Sequence, residues 1–315
     1  MTLQSPEAPL RELTDTEVDA YHRDGAIKAS GLFSDAWVGR ISEAVDFVLA
    51  HPSSLARASA DFSGGRATGD AFMWKTHEAF RDFVYRSPAS RIAQRLFNSR
   101  TATAFYDQIF AKPQATAKPT PFHEDASSFP INGDQVCAMW IALDECGPDS
   151  AALTVVRGSH RWEDREVPVT SSLMHRMMKA DEADEQGPQD AARPAVQPRQ
   201  DVLTWDEGDL LAWDLVPGDA VIFNPAALHG ATGTGPDRGR RAFVSRWLGD
   251  DVTFEPKNGV LPILWDPGLE PGEPMGGPMF PRVLPTADDP DAWAAQEPDP
   301  ERLDEFLRRI GRVRP

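Results

Sequence analysis

Residues 136–144, VCAMWIALD, are apolar on both faces of an extended chain. Side chains alternate along a strand, which puts Val136, Ala138, Trp140 and Ala142 on one face and Cys137, Met139, Ile141 and Leu143 on the other. Such a strand needs packing on each side, so it demands a layer above and a layer below. Neighbouring stretches agree. TATAFYDQIFAK from Thr101, PTPFHED from Pro119, ALTVVRGSH from Ala152 and the runs at 209–214, 219–224 and 240–248 are short and rich in β-branched and aromatic residues. Pro, Gly, Asn and Asp separate them, the pattern of strands joined by turns.

Ahead of residue 101 the period is helical. Thr14 and Glu17 have capping-box spacing, which predicts a helix through residue 24. Gly25 and Gly31 punctuate a short extended piece. Ser34 then opens a second helix with Val38, Ile41, Val45 and Val48 at helical spacing. A third is expected over 76–98, whereas 51–71 is small, polar and loop-like. Residues 161–209 lose regularity, and the charged, proline-containing stretch 180–201 suggests a lid-like insertion. After irregular chain at 267–285, Asp299-Pro300 starts a terminal helix with Leu303, Phe306, Leu307 and Ile310 as its buried stripe. The expectation is one domain over 1–315: a mainly helical part (1–100), a β core (101–250) carrying the lid, and a C-terminal loop and helix (251–315).

Composition narrows the function classes. The chain has 49 acidic and 32 basic residues, a net charge of −17, which disfavours nucleic acid or an anionic membrane as the main partner. No apolar run approaches the roughly 20 residues of a membrane helix, and the first residues lack a signal-peptide pattern. A cytoplasmic protein acting on a small molecule is expected. Cys137 and Cys146 lack metal or disulfide spacing and are expected to be free thiols.

The chemistry gathers around three short pieces. His123-Glu124-Asp125 offers an imidazole and a carboxylate at i and i+2, positions that face the same way on a strand. His229, just past a later strand, offers a second imidazole. Two histidines and one carboxylate on one side of a metal, with the other side open, suit iron(II) in an oxygenase. Between His229 and Arg240 lies GATGTGPDRG, with four glycines and a proline, which predicts a reversal bringing His229 and Arg240 to facing ends of antiparallel neighbours. Arg240 shares its face with Ala242, Val244 and Arg246, leaving room for a small carboxylate ligand, whereas Arg241 shares its face with Phe243 and Trp247. Arg240 is therefore the expected carboxylate anchor. His160 is expected to be a structural strand-end histidine.

Several segments together resemble the phytanoyl-CoA dioxygenase family of iron(II)- and 2-oxoglutarate-dependent oxygenases: DQIFAKP (107–113), PTPFHED (119–125), GDQVCAMWIALDE (133–145), ALTVVRGSHRW (152–162), WDLVPGDAVIFNPAALHGA (213–231) and RRAFVSRWLGDD (240–251). LTDTEVDAYHRDGAIKASGLFS, near the start, resembles the family's N-terminal part. The resemblance implies a double-stranded β-helix (jelly roll, cupin-like) with flanking α-helices. It implies iron(II) on His123, Asp125 and His229, and 2-oxoglutarate held by Arg240 with Gln108, Thr120 and Trp140 lining it. With O2 it implies hydroxylation of an unactivated C–H bond of a small metabolite or natural-product intermediate, releasing succinate and CO2. Glu124 stands where the family often has glutamine, and Asp149-Ser150-Ala151 where Asn-Gly is common. Family halogenases replace the metal carboxylate with a small residue, so Asp125 points to hydroxylation. The competing expectation is a non-catalytic or non-oxidative metal-binding jelly roll, which has no requirement for Arg240.

Overall fold

The computed structural model describes residues 5–53, 55–56, 69–115, 119–162, 207–235, 237–256, 261, 263–285 and 299–309. Its helices are α1 (Asp15–Asp24), α2 (Asp35–Ala50), α3 (Met73–Thr76), α4 (Glu78–Arg86), α5 (Ala89–Phe97) and α6 (Pro300–Arg309). The strands are β1 (Ala26–Ala29), β2 (Gly69–Ala71), β3 (Ala102–Lys112), β4 (Thr120–His123), β5 (Ile131–Asn132), β6 (Val136–Ala142), β7 (Thr154–Val156), β8 (Leu210–Leu211), β9 (Ala220–Phe223), β10 (His229–Ala231), β11 (Arg240–Leu248), β12 (Thr253–Phe254) and β13 (Arg282–Leu284). A large sheet runs β1-β9-β6-β11-β3-β13, with β2 also on β3, and a small one runs β4-β10-β7-β8. Every pairing among the described strands is antiparallel. This mostly-β jelly roll with outer helices is the architecture expected from the sequence.

The two apolar faces of β6 each find their layer. Cys137, Met139 and Ile141, with Phe243 and Trp247 of β11, pack against Trp37, Ile41 and Val45 of α2 and Phe80, Phe83 and Leu96 of α4 and α5. On the inner face Ala138, Trp140 and Ala142 join Val221, Phe223, Val244 and Val155, so the small sheet closes over this side. A third cluster, including Phe105, Tyr106, Phe129, Val136, Leu248 and Trp265, fills one end.

Local signals set several boundaries. Glu17 N–H donates to Thr14 Oγ1 and Thr14 N–H to Glu17 Oε2, completing the capping box, and Gly25 ends α1 at φ +84°. Ser34 caps α2. The helix expected over 76–98 is instead two, α4 and α5. Pro88 forces Ser87 into extended backbone (ψ 167°), as the residue before proline disfavours the α region. Within the stretch expected to be loop, Gly69–Ala71 pairs with β3. Residues 163–206 of the lid-like segment lie outside the described residues, as do the side chains of Phe306, Leu307 and Ile310. Leu303 packs on the third cluster. Both cysteines are buried free thiols. No described helix is long and apolar enough to cross a membrane.

Candidate metal and carboxylate site

β4 and β10 lie side by side in the small sheet with His123 opposite His229. Directly opposed side chains on an antiparallel pair are near neighbours, and the two ring centroids are 4.3 Å apart. Gly230 allows this approach, because a Cβ there would stand 2.9 Å from Thr120 O. His123 Nδ1 is 2.8 Å from Pro121 O and His229 Nδ1 is 2.9 Å from Ala227 O. A carbonyl only accepts, so each Nδ1 carries the proton and donates. Each Nε2 then keeps its lone pair, the tautomer a metal ligand needs.

Asp125 reaches the same place by a route other than the expected one. β4 stops at His123, and Asp125 has helical backbone (φ −93°, ψ −32°). Pro225 O accepts the Asp125 and Ala126 N–H groups, which takes this segment out of the strand ladder and ties it to the loop before β10. Turning, rather than strand alternation, brings Asp125 Oδ1 within 3.7 Å of His123 Nε2 and 3.9 Å of His229 Nε2. The three donor atoms lie within 4.8 Å of one another, a spacing that one ion could bridge.

The electrostatics suit a cation. Burial, helped by His123, pushes the His229 pKa down to about 4, so this imidazole is neutral near pH 7. For Asp125 burial opposes ionisation, but Arg246 and the two imidazoles outweigh it and hold the carboxyl below its ordinary range. Arg246, on the inner face of β11, donates from Nη2 to Asp125 Oδ2 at 3.1 Å. Its one sequence signal was a face shared with Arg240.

His229 is the first residue of its own strand, and β10 belongs to the small sheet. β11 belongs to the large one, between β6 and β3. The glycine-rich segment therefore crosses between sheets instead of forming the expected hairpin. The two arginines nevertheless face opposite ways. Arg241 points outward and pairs with Asp144 and Asp46, while Arg240 is buried. Arg240 donates to Ala151 O and Phe110 O, both at 3.0 Å, with its Cζ 5.3 Å from the Trp140 ring centroid.

Gln108, Val244 and Trp140 form one cross-strand row over β3, β11 and β6. Trp140 is buried and Gln108 half-buried. Thr120 lies opposite Ala231, on the two strands that carry the histidines. Lys112, which the sequence reading did not single out, sits directly opposite Arg240. Burial, with Arg240 adding to it, lowers the Lys112 pKa to about 8; burial also lowers Arg240 to about 10. Two neighbouring cations of this kind suit a carboxylate. His160 bonds through Nε2 to His22 O, away from the histidine pair.

Comparison with known proteins identifies the family. The phytanoyl-CoA dioxygenase (PhyH) family model matches residues 21–242. A Caenorhabditis elegans protein named "Probable phytanoyl-CoA dioxygenase" is 25% identical over 153 residues, which are 47% of this chain and 43% of that protein, so the match spans less than half of the curated relative's length. Among solved structures, the non-heme α-ketoglutarate-dependent carbocyclase SnoK from nogalamycin biosynthesis is similar at TM-score 0.63 and 22% identity, covering 89% of this chain and 100% of that one. The epimerase SnoN, in complex with Fe3+, α-ketoglutarate and nogalamycin RO, gives TM-score 0.63 at 19% identity over 85% of this chain and 98% of that one. EctD from S. alaskensis, with 2-oxoglutarate and 5-hydroxyectoine, gives 0.55 at 18% identity over 78% and 80%. The structural likenesses speak for the fold, and the family model spans most of the chain: it belongs to the phytanoyl-CoA dioxygenase family, whose members are iron- and 2-oxoglutarate-dependent enzymes.

Proposed function

We propose that this chain is an iron(II)- and 2-oxoglutarate-dependent oxygenase that hydroxylates an unactivated C–H bond of a small molecule, with His123, Asp125 and His229 as metal ligands. The observation that carries the reading is the convergence of two Nδ1-protonated imidazoles and one ionised carboxylate. Iron(II) bound there with 2-oxoglutarate and O2 supplies the oxidising power, yielding succinate and CO2. The chain's own groups bind, orient and exclude water. Arg240, with Lys112 beside it, binds the far carboxylate of 2-oxoglutarate. Trp140 flanks the Arg240 guanidinium, and Gln108 and Thr120 line the cosubstrate. The presence of Asp125, rather than a small residue, supports oxygen transfer over halogenation. The net charge of −17 and the natural-product chemistry named for SnoK and SnoN favour a small metabolite or biosynthetic intermediate.

The test is an anaerobic titration. Iron(II) and 2-oxoglutarate together should give a weak visible absorption band that Asp125→Ala abolishes, and admitting air should release succinate. A wild-type protein that binds iron(II) but gives neither band nor succinate would instead be a non-oxidative metal-binding jelly roll.

A further inference from the structure

Arg246 occupies an unusual position. β11 stays in register with β6 through Arg246, which lies opposite Ala138. Against β3 the register shifts between Ser245 and Trp247, so that β3 has two residues, Phe105 and Tyr106, where β11 has Arg246 alone, a bulge that belongs to β3. Only 3% of the residue is exposed. The guanidinium Cζ sits 4.2 Å from the Tyr106 ring centroid and 5.9 Å from that of Phe129.

Arginine and a carboxylate normally pair through both oxygens and two N–H groups. Here Nη2 meets Oδ2 at 3.1 Å, while Nε and Nη1 are buried with no hydrogen-bond partner among the described residues. Leaving a buried donor unpaired is costly, so two-oxygen pairing would be the better arrangement for this pair alone. Asp125 instead turns Oδ1 towards the imidazoles of His123 and His229. Its backbone is pinned by Pro225 O, and its own carbonyl accepts from Ser128 Oγ and N–H.

We propose that Arg246 is a positioning residue that restricts Asp125 to a single-oxygen ligand by retaining Oδ2. This rests on the metal site proposed above. A one-oxygen carboxylate leaves free a coordination position that a chelating carboxylate would occupy, and that position is needed for cosubstrate and O2.

Cobalt(II) titration of the wild type, Arg246→Met, Asp125→Asn and the double variant tests it. Arg246→Met should weaken cobalt(II) binding about 10- to 100-fold, the usual cost of losing a partner behind a ligand, and Arg246→Lys should recover part of it. In the Asp125→Asn background the Arg246 change should add nothing, because it acts through that carboxylate. Wild-type affinity in Arg246→Met, or independent effects in the double variant, overturns the proposal. Should Arg246→Met not fold, a structure of the cobalt-loaded wild type decides. Oδ1 on the metal with Oδ2 still on Arg246 supports it, and both oxygens on the metal overturn it. A wild type that binds cobalt(II) with this coupling yet forms no succinate when loaded with iron(II) and 2-oxoglutarate in air sinks the oxygenase reading alone.

Discussion

The two sheets bring different things to the site. The small sheet carries both histidines on strands of three and four residues, and hydrogen bonds position them: the His123–His229 register, the two Nδ1 contacts and the Pro225 carbonyl. The large sheet carries Arg240 and Arg246 on a nine-residue strand whose outer face is sealed by helices. Short strands can thus hold a metal set when backbone acceptors fix each ring, whereas buried cations need a strand braced from behind. Damage to the small sheet should remove the metal. Damage to the packing behind the large one should cost stability first.

His229→Ala gives the largest effect. It should weaken iron(II) by more than the roughly 100-fold upper range for partners behind a ligand and abolish succinate formation, while the thermal midpoint stays near wild type. A large fall in that midpoint would break the contrast between sheets. Phe243→Ala, on the outer face of β11, should destabilise by about 3–5 kcal/mol in denaturant unfolding, and the folded protein should bind metal as before.

Arg240→Met comes next. Removing one partner of a buried charged pair costs at least about 2 kcal/mol, which is roughly 30-fold in affinity. The KM for 2-oxoglutarate should rise by that order with iron(II) binding unchanged, and loss of iron(II) binding would merge the two roles assigned to the sheets.

Asp107 gives the smallest effect. It lies on the outer face of β3, opposite Ser245, and accepts the Trp74 N–H at the start of α3. Burial raises its pKa to about 8, against the lowering effect of that hydrogen bond. Between about pH 4 and pH 8 the folded protein keeps a proton that the unfolded chain has released, so this group's contribution is full below that window and is lost as pH rises through it. Asp107→Asn should flatten the fall in thermal midpoint across the window. Parallel wild-type and variant curves would show that the carboxyl ionises freely.

Much of this was legible from local pattern. Thr14, Glu17 and Ser34 mark helix starts through contacts only three residues long. Pro88 was equally visible, and its effect on Ser87 should have divided the 76–98 helix. The short strand at 69–71 was hidden because Gly-Asp-Ala has little strand preference of its own; its partner β3 supplies the order.

The sequence by itself determined the two-faced strand at β6, the inward row of Arg240, Ala242, Val244 and Arg246, and the residue types able to bind a metal, because side-chain direction along a strand follows from a period of two. Tertiary structure alone decided which sheet each strand joined, so the glycine-rich segment after His229 proved to be a crossing and not a hairpin. It also decided that Asp125 arrives through a turn held by Pro225 and that Arg246 meets its second oxygen. Those contacts join residues about 100 or more positions apart, and a local sequence pattern carries no term for such a distance.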